Sequence, residues 1–256
     1  MTEEPAIPQP GWLSAAIQTY LRVYHRHEVR IDAPVPDRPV LFVCNHGFGG
    51  VIDLNVAAFV AARAAAGVTR PTTAMVHQIA WTLGVGSLVE RVGGTPGSRQ
   101  AADAAFEAGH NVLVFPGGDV DAGKSWRERN KIKFHGSGFA RLAQAHGVPI
   151  VPVVTAGAGE SLVVLSDGQA AARALRLPKL LRVKALPVSV SIPWGLNFGV
   201  VGLVPYLPLP TKLVTAVMPD MIGDADESPE DFAERVREAM QARLDALTAR
   251  RTPLLG

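Results

Sequence analysis

A single α/β domain with a mixed, largely parallel sheet flanked by helices is predicted by three observations on the 256-residue chain. Short uncharged runs rich in Val, Ile and Leu recur along it, at lengths that suit buried strands. Between them lie stretches of helical periodicity, several closed by a glycine of the kind that ends a helix in the left-handed conformation. No internal repeat or linker divides the chain, whose length suits one large domain. Such alternation lays helices over a sheet whose strands run mostly parallel.

The N-terminal segment, 1–37, opens acidic and proline-rich as MTEEPAIPQP and continues over 12–31 as an amphipathic helical stretch. Ile17, Tyr20, Leu21 and Tyr24 share one face, while Arg22, Arg26 and Arg30 step by four along the other. A helix of this pattern either packs on a domain core or lies on a membrane surface. In the motif-bearing core, 38–220, strands are expected at 40–44, 73–76, 87–90, 111–115, 149–155 and 213–218. Helices are expected at 52–66, 98–108 and 137–146, closed by Gly67, Gly109 and Gly147.

The stretch 185–211 is uncharged and long enough to span a bilayer. Pro187, Pro193, Pro205, Pro208 and Pro210 would break a helix there repeatedly, so it reads as strands and loops with an apolar surface. The C-terminal packing helix, 228–251, has Ser228 as N-cap, Pro229 at its first position and Glu230 and Asp231 in its first turn. Phe232, Val236, Met240, Leu244 and Leu247 then fall on one face.

Composition narrows the function. With 48% hydrophobic and 19% charged residues the chain is globular, and a formal charge of +2 is far from the bias of a dedicated nucleic-acid binder. The single cysteine, Cys44, excludes an internal disulfide and any Cys-rich metal site, which suits a reducing compartment. The N-terminus lacks a basic region leading into an apolar one, so no signal peptide is read there and a cytoplasmic location is expected. His77, His110, His135 and His146 show no metal-ligand spacing, and no metal or cofactor is expected.

The chemistry concentrates in VLFVCNHGFGGVIDLNVAAF, 40–59. An apolar strand delivers Asn45 and His46 to its carboxyl end, where functional groups of α/β sheets gather. Gly47, Gly49 and Gly50 follow, and Asp53 opens the next helix. A histidine so placed can take a proton from an alcohol, and a carboxylate on its other nitrogen fixes the tautomer and steadies the imidazolium. There is no G-x-S-x-G elbow, and Cys44 is expected to be buried, so direct attack by a bound acceptor is the expected reaction.

These residues resemble the first motif of the glycerolipid and lysophospholipid acyltransferase family, Asn-His, four residues and Asp. Three further blocks follow in the family's order: LGVGSLVERVGG with Gly84, Gly86 and Arg91; VLVFPGGDVD, 112–121; and VPIVPVV, 148–154. The resemblance covers roughly 38–220 and implies an acyltransferase-type fold. It also implies transfer of a fatty acyl group from acyl-coenzyme A or acyl carrier protein, as co-substrate, to a lipid hydroxyl. On it, His46 and Asp53 would be catalytic. Asn45, Arg91, Phe115, Pro116, Gly117, Gly118, Arg127 and Pro152 would bind substrate, with amides near Gly117 and Gly118 serving the thioester oxyanion. The lipid acceptor implies a peripheral site on the inner face of the cell membrane.

Two features depart from the family pattern. Six residues rather than four separate His46 from Asp53; on a continuous helix the pair would stand about 10 Å apart, so a non-helical loop must fold Asp53 back. In block three, Gly117 stands for the usual Glu and Val120 for the usual Arg. That form looks more like the diacylglycerol acyltransferase branch and points to a neutral or unusual lipid alcohol.

Two basic stretches are candidates for phosphate or bilayer contact: Lys124, Arg127, Arg129, Lys131 and Lys133, and then Arg173, Arg176, Lys179, Arg182 and Lys184. Each also reads as a solvated or amphipathic surface. Asp119 and Asp121 admit a rival, metal-dependent glycosyltransferase reading. A non-catalytic lipid-binding member of the family is a third.

Overall fold

The computed structural model describes residues 6–7, 12–47, 53–76, 86–91, 93–118, 121, 123–168, 174, 187–198 and 206–256. Helix α1 (Trp12–Tyr24) leads into β1 (Glu28–Ile31) and β2 (Leu41–Cys44), followed by α2 (Leu54–Ala65) and β3 (Thr72–Val76). Next come α3 (Gly86–Arg91), β4 (Gly94–Pro96), α4 (Arg99–Glu107), β5 (Asn111–Val114), α5 (Gly138–His146) and β6 (Ile150–Ala156). The strands β7 (Val163–Ser166), β8 (Val188–Ser191), β9 (Gly195–Phe198) and β10 (Val214–Val217) precede the long α6 (Pro229–Thr248). A short 3₁₀ turn, Ala158–Glu160, joins β6 to β7.

Seven strands form one sheet in the order β1-β10-β6-β2-β5-β3-β4. β2 runs parallel to both β5 and β6, and β3 parallel to β5 and β4, while β10 lies antiparallel to β6. The sheet is therefore mixed and mostly parallel, as the sequence predicts. Its central strands β2 and β6 are buried along their whole length because both faces are covered. Leu41 and Val43 pack with Ile150, Phe139, Phe232 and Met240 on one face; Phe42 and Cys44 pack with Phe59, Ala62 and Val151 on the other. Alternate residues of β2 thus feed two cores. Phe42 and Phe59 meet edge-on with centroids 5.1 Å apart, and burial of each such ring contributes about 2 kcal/mol or more.

Helix α6 starts as expected: Ser228 Oγ accepts the Asp231 amide at 3.1 Å, with Pro229 in the first turn. Other expectations need correction. The stretch 87–90 lies in helix α3, and the strand is supplied by Gly94–Pro96 beside β3. Four residues, SLVE, carry too little periodicity to separate the two forms, and Val89 packs instead over Gly94. The N-terminal helix stops at Tyr24, so Arg26, at φ 46°, lies in a turn and Arg30 in β1, whose backbone pairs with β10. The expected arginine stripe along one helix face is therefore absent. In 185–211 the described part forms strands: β8 and β9 make a hairpin that joins β7 in a separate antiparallel sheet. Most of the basic stretch 172–186 lies outside the described residues. Among the described residues, no helix is long and apolar enough to cross a membrane.

Candidate active site

The site is built where β2 and its parallel neighbours β5 and β6 end together. Val43 is in register with Val114 and Cys44 with Val153, so His46 emerges beside Phe115 on one side and Asn45 beside Thr155 on the other. The imidazole stacks on the Phe115 ring at 4.5 Å between centroids. Asn45 is buried: its amide nitrogen donates to the Thr155 carbonyl at 3.1 Å, and its oxygen accepts the Thr155 amide at 2.8 Å.

Asp53 does two things with two oxygens. Oδ1 caps α2 by accepting the amides of Asn55 at 2.9 Å and Val56 at 3.3 Å, a position where the helix end favours negative charge. Oδ2 lies 3.3 Å from His46 Nδ1, with the two side chains only 15% and 17% exposed. Nδ1 is otherwise buried without a hydrogen-bond partner; the pair sits at ion-pair distance but off the line of an aligned hydrogen bond. The six-residue separation is thus no obstacle, since Asp53 is fixed by the helix it starts.

Three side chains hold the backbone that carries His46. Asn55 Oδ1 accepts the Gly47 amide at 2.6 Å while its Nδ2 donates to the Asn45 carbonyl at 2.7 Å. Asp121 Oδ2 accepts the His46 amide at 2.8 Å, and Lys124 Nζ donates to the His46 carbonyl at 2.8 Å. Asp121 Oδ1 accepts from Lys124 Nζ and from the Lys133 amide, at 2.8 and 3.1 Å. A third bond from Lys124, to the Lys131 carbonyl at 2.8 Å, completes its coordination. Burial lowers the ammonium's pKa, and Asp121 pulls it back toward the charged form.

Two glycines permit this packing. A Cβ on Gly47 would lie 2.6 Å from Ala158 and 2.7 Å from Asn55 Oδ1; one on Gly117 would lie 2.1 Å from Asp121 Cβ and 2.3 Å from the Lys133 carbonyl. The block-three departure therefore has a structural reason: with Asp121 beneath His46 there is no room for a glutamate side chain at 117.

Of the other sequence-predicted residues, Pro116 and Gly118 sit with Phe115 and Gly117 in the turn after β5, next to His46. The Gly118 amide donates to the Phe115 carbonyl at 3.2 Å, so it closes the turn and is not directed at an oxyanion. Asn45 spends its side-chain amide on Thr155. Pro152 is buried in β6 opposite Val43. Arg91 ends α3, and its side chain lies outside the described residues. In the basic stretch, Lys124 is internal, Lys133 pairs with Glu128 at 2.8 Å and Arg129 lies over the Trp126 ring; Arg127 and Lys131 are exposed. Asp121 has both oxygens committed and no exposure, which removes it as a metal ligand for the glycosyltransferase reading; Asp119 lies outside the described residues. Cys44 is buried and its thiol pKa is pushed well up by burial and then by the Asp53 charge, so it is no nucleophile.

Sequence reasoning missed Asn55, Asp121 and Lys124 as supports of the histidine. The only signals were an Asp-x-Asp that resembled a metal motif and a lysine inside a basic run.

At the carboxyl ends of the parallel strands, a strand-end histidine thus faces a helix-capping aspartate. A family model described as Acyltransferase matches residues 26–156, about half of the chain, and the chain belongs to that family. The uncharacterized protein Rv0502 of Mycobacterium tuberculosis is 27% identical over 258 residues, covering 94% of this chain and 68% of its own length. The uncharacterized protein ML2427 of Mycobacterium leprae is 27% identical over the same span, covering 66% of its length. In fold, the chain is similar to the 1-acyl-sn-glycerophosphate acyltransferase PlsC from Thermotoga maritima. Its crystal structure matches with a TM-score of 0.54 and 16% identity over 93% of this chain and 81% of that one.

Proposed function

We propose that this acyltransferase moves a fatty acyl group from acyl-coenzyme A or acyl carrier protein to the hydroxyl of a glycerolipid or related neutral lipid alcohol, working peripherally at the inner face of the cell membrane. The 3.3 Å approach of Asp53 Oδ2 to His46 Nδ1 carries the reading. With the proton on Nδ1, the nitrogen nearer Asp53, Nε2 keeps its lone pair and serves as general base. The acceptor O–H gives its proton to Nε2 as the oxygen attacks the thioester carbonyl. Collapse of the tetrahedral oxyanion breaks the C–S bond, and the leaving thiolate takes the proton back from Nε2.

Asp53 steadies the imidazolium between these two transfers, held in place by its cap on α2. The Gly117 amide is the nearest candidate for the oxyanion, Gly118 being committed to its turn. A neutral acceptor is favoured because, in the basic stretch after block three, Lys124 is buried against Asp121 and the part-exposed Lys133 is paired with Glu128. Exposed Arg127 and Lys131, with Arg91, are assigned to phosphates of the donor.

The test is thiol release from long-chain acyl-coenzyme A with lysophospholipids, glycerol 3-phosphate, monoacylglycerol and diacylglycerol as acceptors. Acceptor-dependent release by the wild type, lost in His46→Ala and Asp53→Asn, is the expected result. Lipid binding with every thioester left intact would instead establish a non-catalytic lipid binder.

A further inference from the structure

The β8-β9 hairpin of the small sheet is patterned backwards for a strand pair facing water. On β8, Ser189 and Ser191 point inward and are buried, whereas Val190 is 42% exposed. Register pairs Val190 with Val163 on one side and with Leu196 on the other, and Val188 with Phe198. One face therefore carries Val163, Val188, Val190, Leu196 and Phe198, with Leu196 and Phe198 more than half exposed. Ile192 and Trp194, in the hairpin turn, are each 51% exposed. In water the stable choice is apolar in and polar out, and a one-residue shift of register would have given it. The reversed choice is stable where the outer medium is itself apolar.

Charge selects the medium. No Asp or Glu occurs from Gly168 to Pro219, whereas Arg173, Arg176, Lys179, Arg182, Lys184 and Lys212 do. Five of these six cations lie in the chain that connects β7 to β8. By sequence, the segment leading into the β8-β9 hairpin is cationic, a charge that an anionic bilayer complements and a second copy of the same segment does not. The face also adjoins the histidine. Ala158, against which Gly47 packs, lies five residues before β7 begins, and Leu162, Val164 and Tyr206 form the buried cluster beneath the sheet.

We infer that the outer face of the β7-β8-β9 sheet docks on an anionic phospholipid surface, with Ile192, Trp194, Leu196 and Phe198 entering the headgroup and upper acyl region. The inference rests on the acyltransferase reading for its lipid substrate and specifies the surface by which the site reaches it. A sheet face and hairpin inserted this way lie in the interface without crossing the membrane.

The experiment is flotation of the full chain with vesicles of phosphatidylcholine alone and of phosphatidylcholine with phosphatidylglycerol, without any acyl donor. Wild type is expected to float with the anionic vesicles and to be released by salt. Leu196→Asp/Phe198→Asp is expected to partition about tenfold or more weakly, with an unchanged circular dichroism spectrum. A second measurement places an environment-sensitive fluorophore at Leu196→Cys, selective because Cys44 is buried. Its emission should shift blue on vesicle addition, while the same label at Glu238→Cys, exposed on α6, should not. Wild-type partition by the double variant, or a Leu196→Cys label indifferent to vesicles, overturns the inference. So does a wild-type dimer in sedimentation that the double variant converts to monomer, since the face would then cover a second copy. Because no turnover is read, failure of docking and failure of the acyltransferase chemistry are separate results.

Discussion

The carboxylate of Asp121 and the ammonium of Lys124 meet at 2.8 Å directly beneath His46, with 0% and 2% of their side chains exposed. Between them they bind the amide and the carbonyl of the histidine. Removing one partner leaves the other charge buried, which costs about 3–5 kcal/mol. Asp121→Ala and Lys124→Met should each lower stability by that order in urea unfolding. Asp121→Asn, which keeps an acceptor for the His46 amide, should fold better than Asp121→Ala. It should lose kcat with KM little changed, the signature of a group that positions the base without touching substrate.

Asp53 permits a clean separation of structure from chemistry. Asparagine caps helices about as well as aspartate, so Asp53→Asn should change unfolding stability by only a few tenths of a kcal/mol, roughly. It cannot steady the imidazolium, and kcat should fall by about 10²-fold or more. Asp53→Ala should lose about 1 kcal/mol of stability in addition. Equal kcat in wild type and Asp53→Asn would remove the carboxylate from the mechanism.

His27 makes the fold acid-sensitive. Burial first, and the neighbouring His25 second, lower its pKa to about 4 from the ordinary 6.5. As pH falls through 6.5 the unfolded chain takes a proton that the folded chain refuses until about 4. Stability that is full above the upper value is therefore lost progressively across that window, and the loss levels off below it. The contribution is on the order of 2–3 kcal/mol, and His25, lowered by burial, acts in the same direction. In urea unfolding at about pH 7 and about pH 5, His27→Gln should narrow the difference between the two. A difference as large as the wild type's would assign the acid sensitivity to other groups.

The glycines at 117 and 118 should respond differently. Gly118 has φ 50° and open space around its missing Cβ, so Gly118→Ala should cost only about 1 kcal/mol of backbone strain. Gly117→Ala drives a methyl into Asp121 and the Lys133 carbonyl. It should cost about 2 kcal/mol or more and displace the support under His46. Thermal unfolding and thiol release on the two variants would rank them, and Gly117→Ala is expected to be the worse in both.

What could be read from the sequence followed from local pattern and chain order. Apolar strands, glycine-closed helices and a capped C-terminal helix are written within a dozen residues each, and His46 and Asp53 sit in one such window. Two of the supports of His46, Asp121 and Lys124, arrive from 75 and 78 positions away along the chain, and no periodicity links them. Asp121 and Lys124 were legible only as a metal-like pair and a basic run, because a carboxylate and an ammonium look the same in sequence whether buried against each other or exposed. Strand β1 was hidden for a related reason: EVRI continues the helical spacing of the residues before it, and only the edge of β10 makes it a strand. The hairpin face was read as apolar, but its inversion depends on cross-strand register.

Because Asp53 takes its position from the start of α2 and His46 from the end of β2, the number of residues between them sets neither. The two functional atoms stand where strand and helix put them, 3.3 Å apart. Counting residues between histidine and aspartate measures the tether; the distance that governs the chemistry is the gap between a strand's end and a helix's beginning.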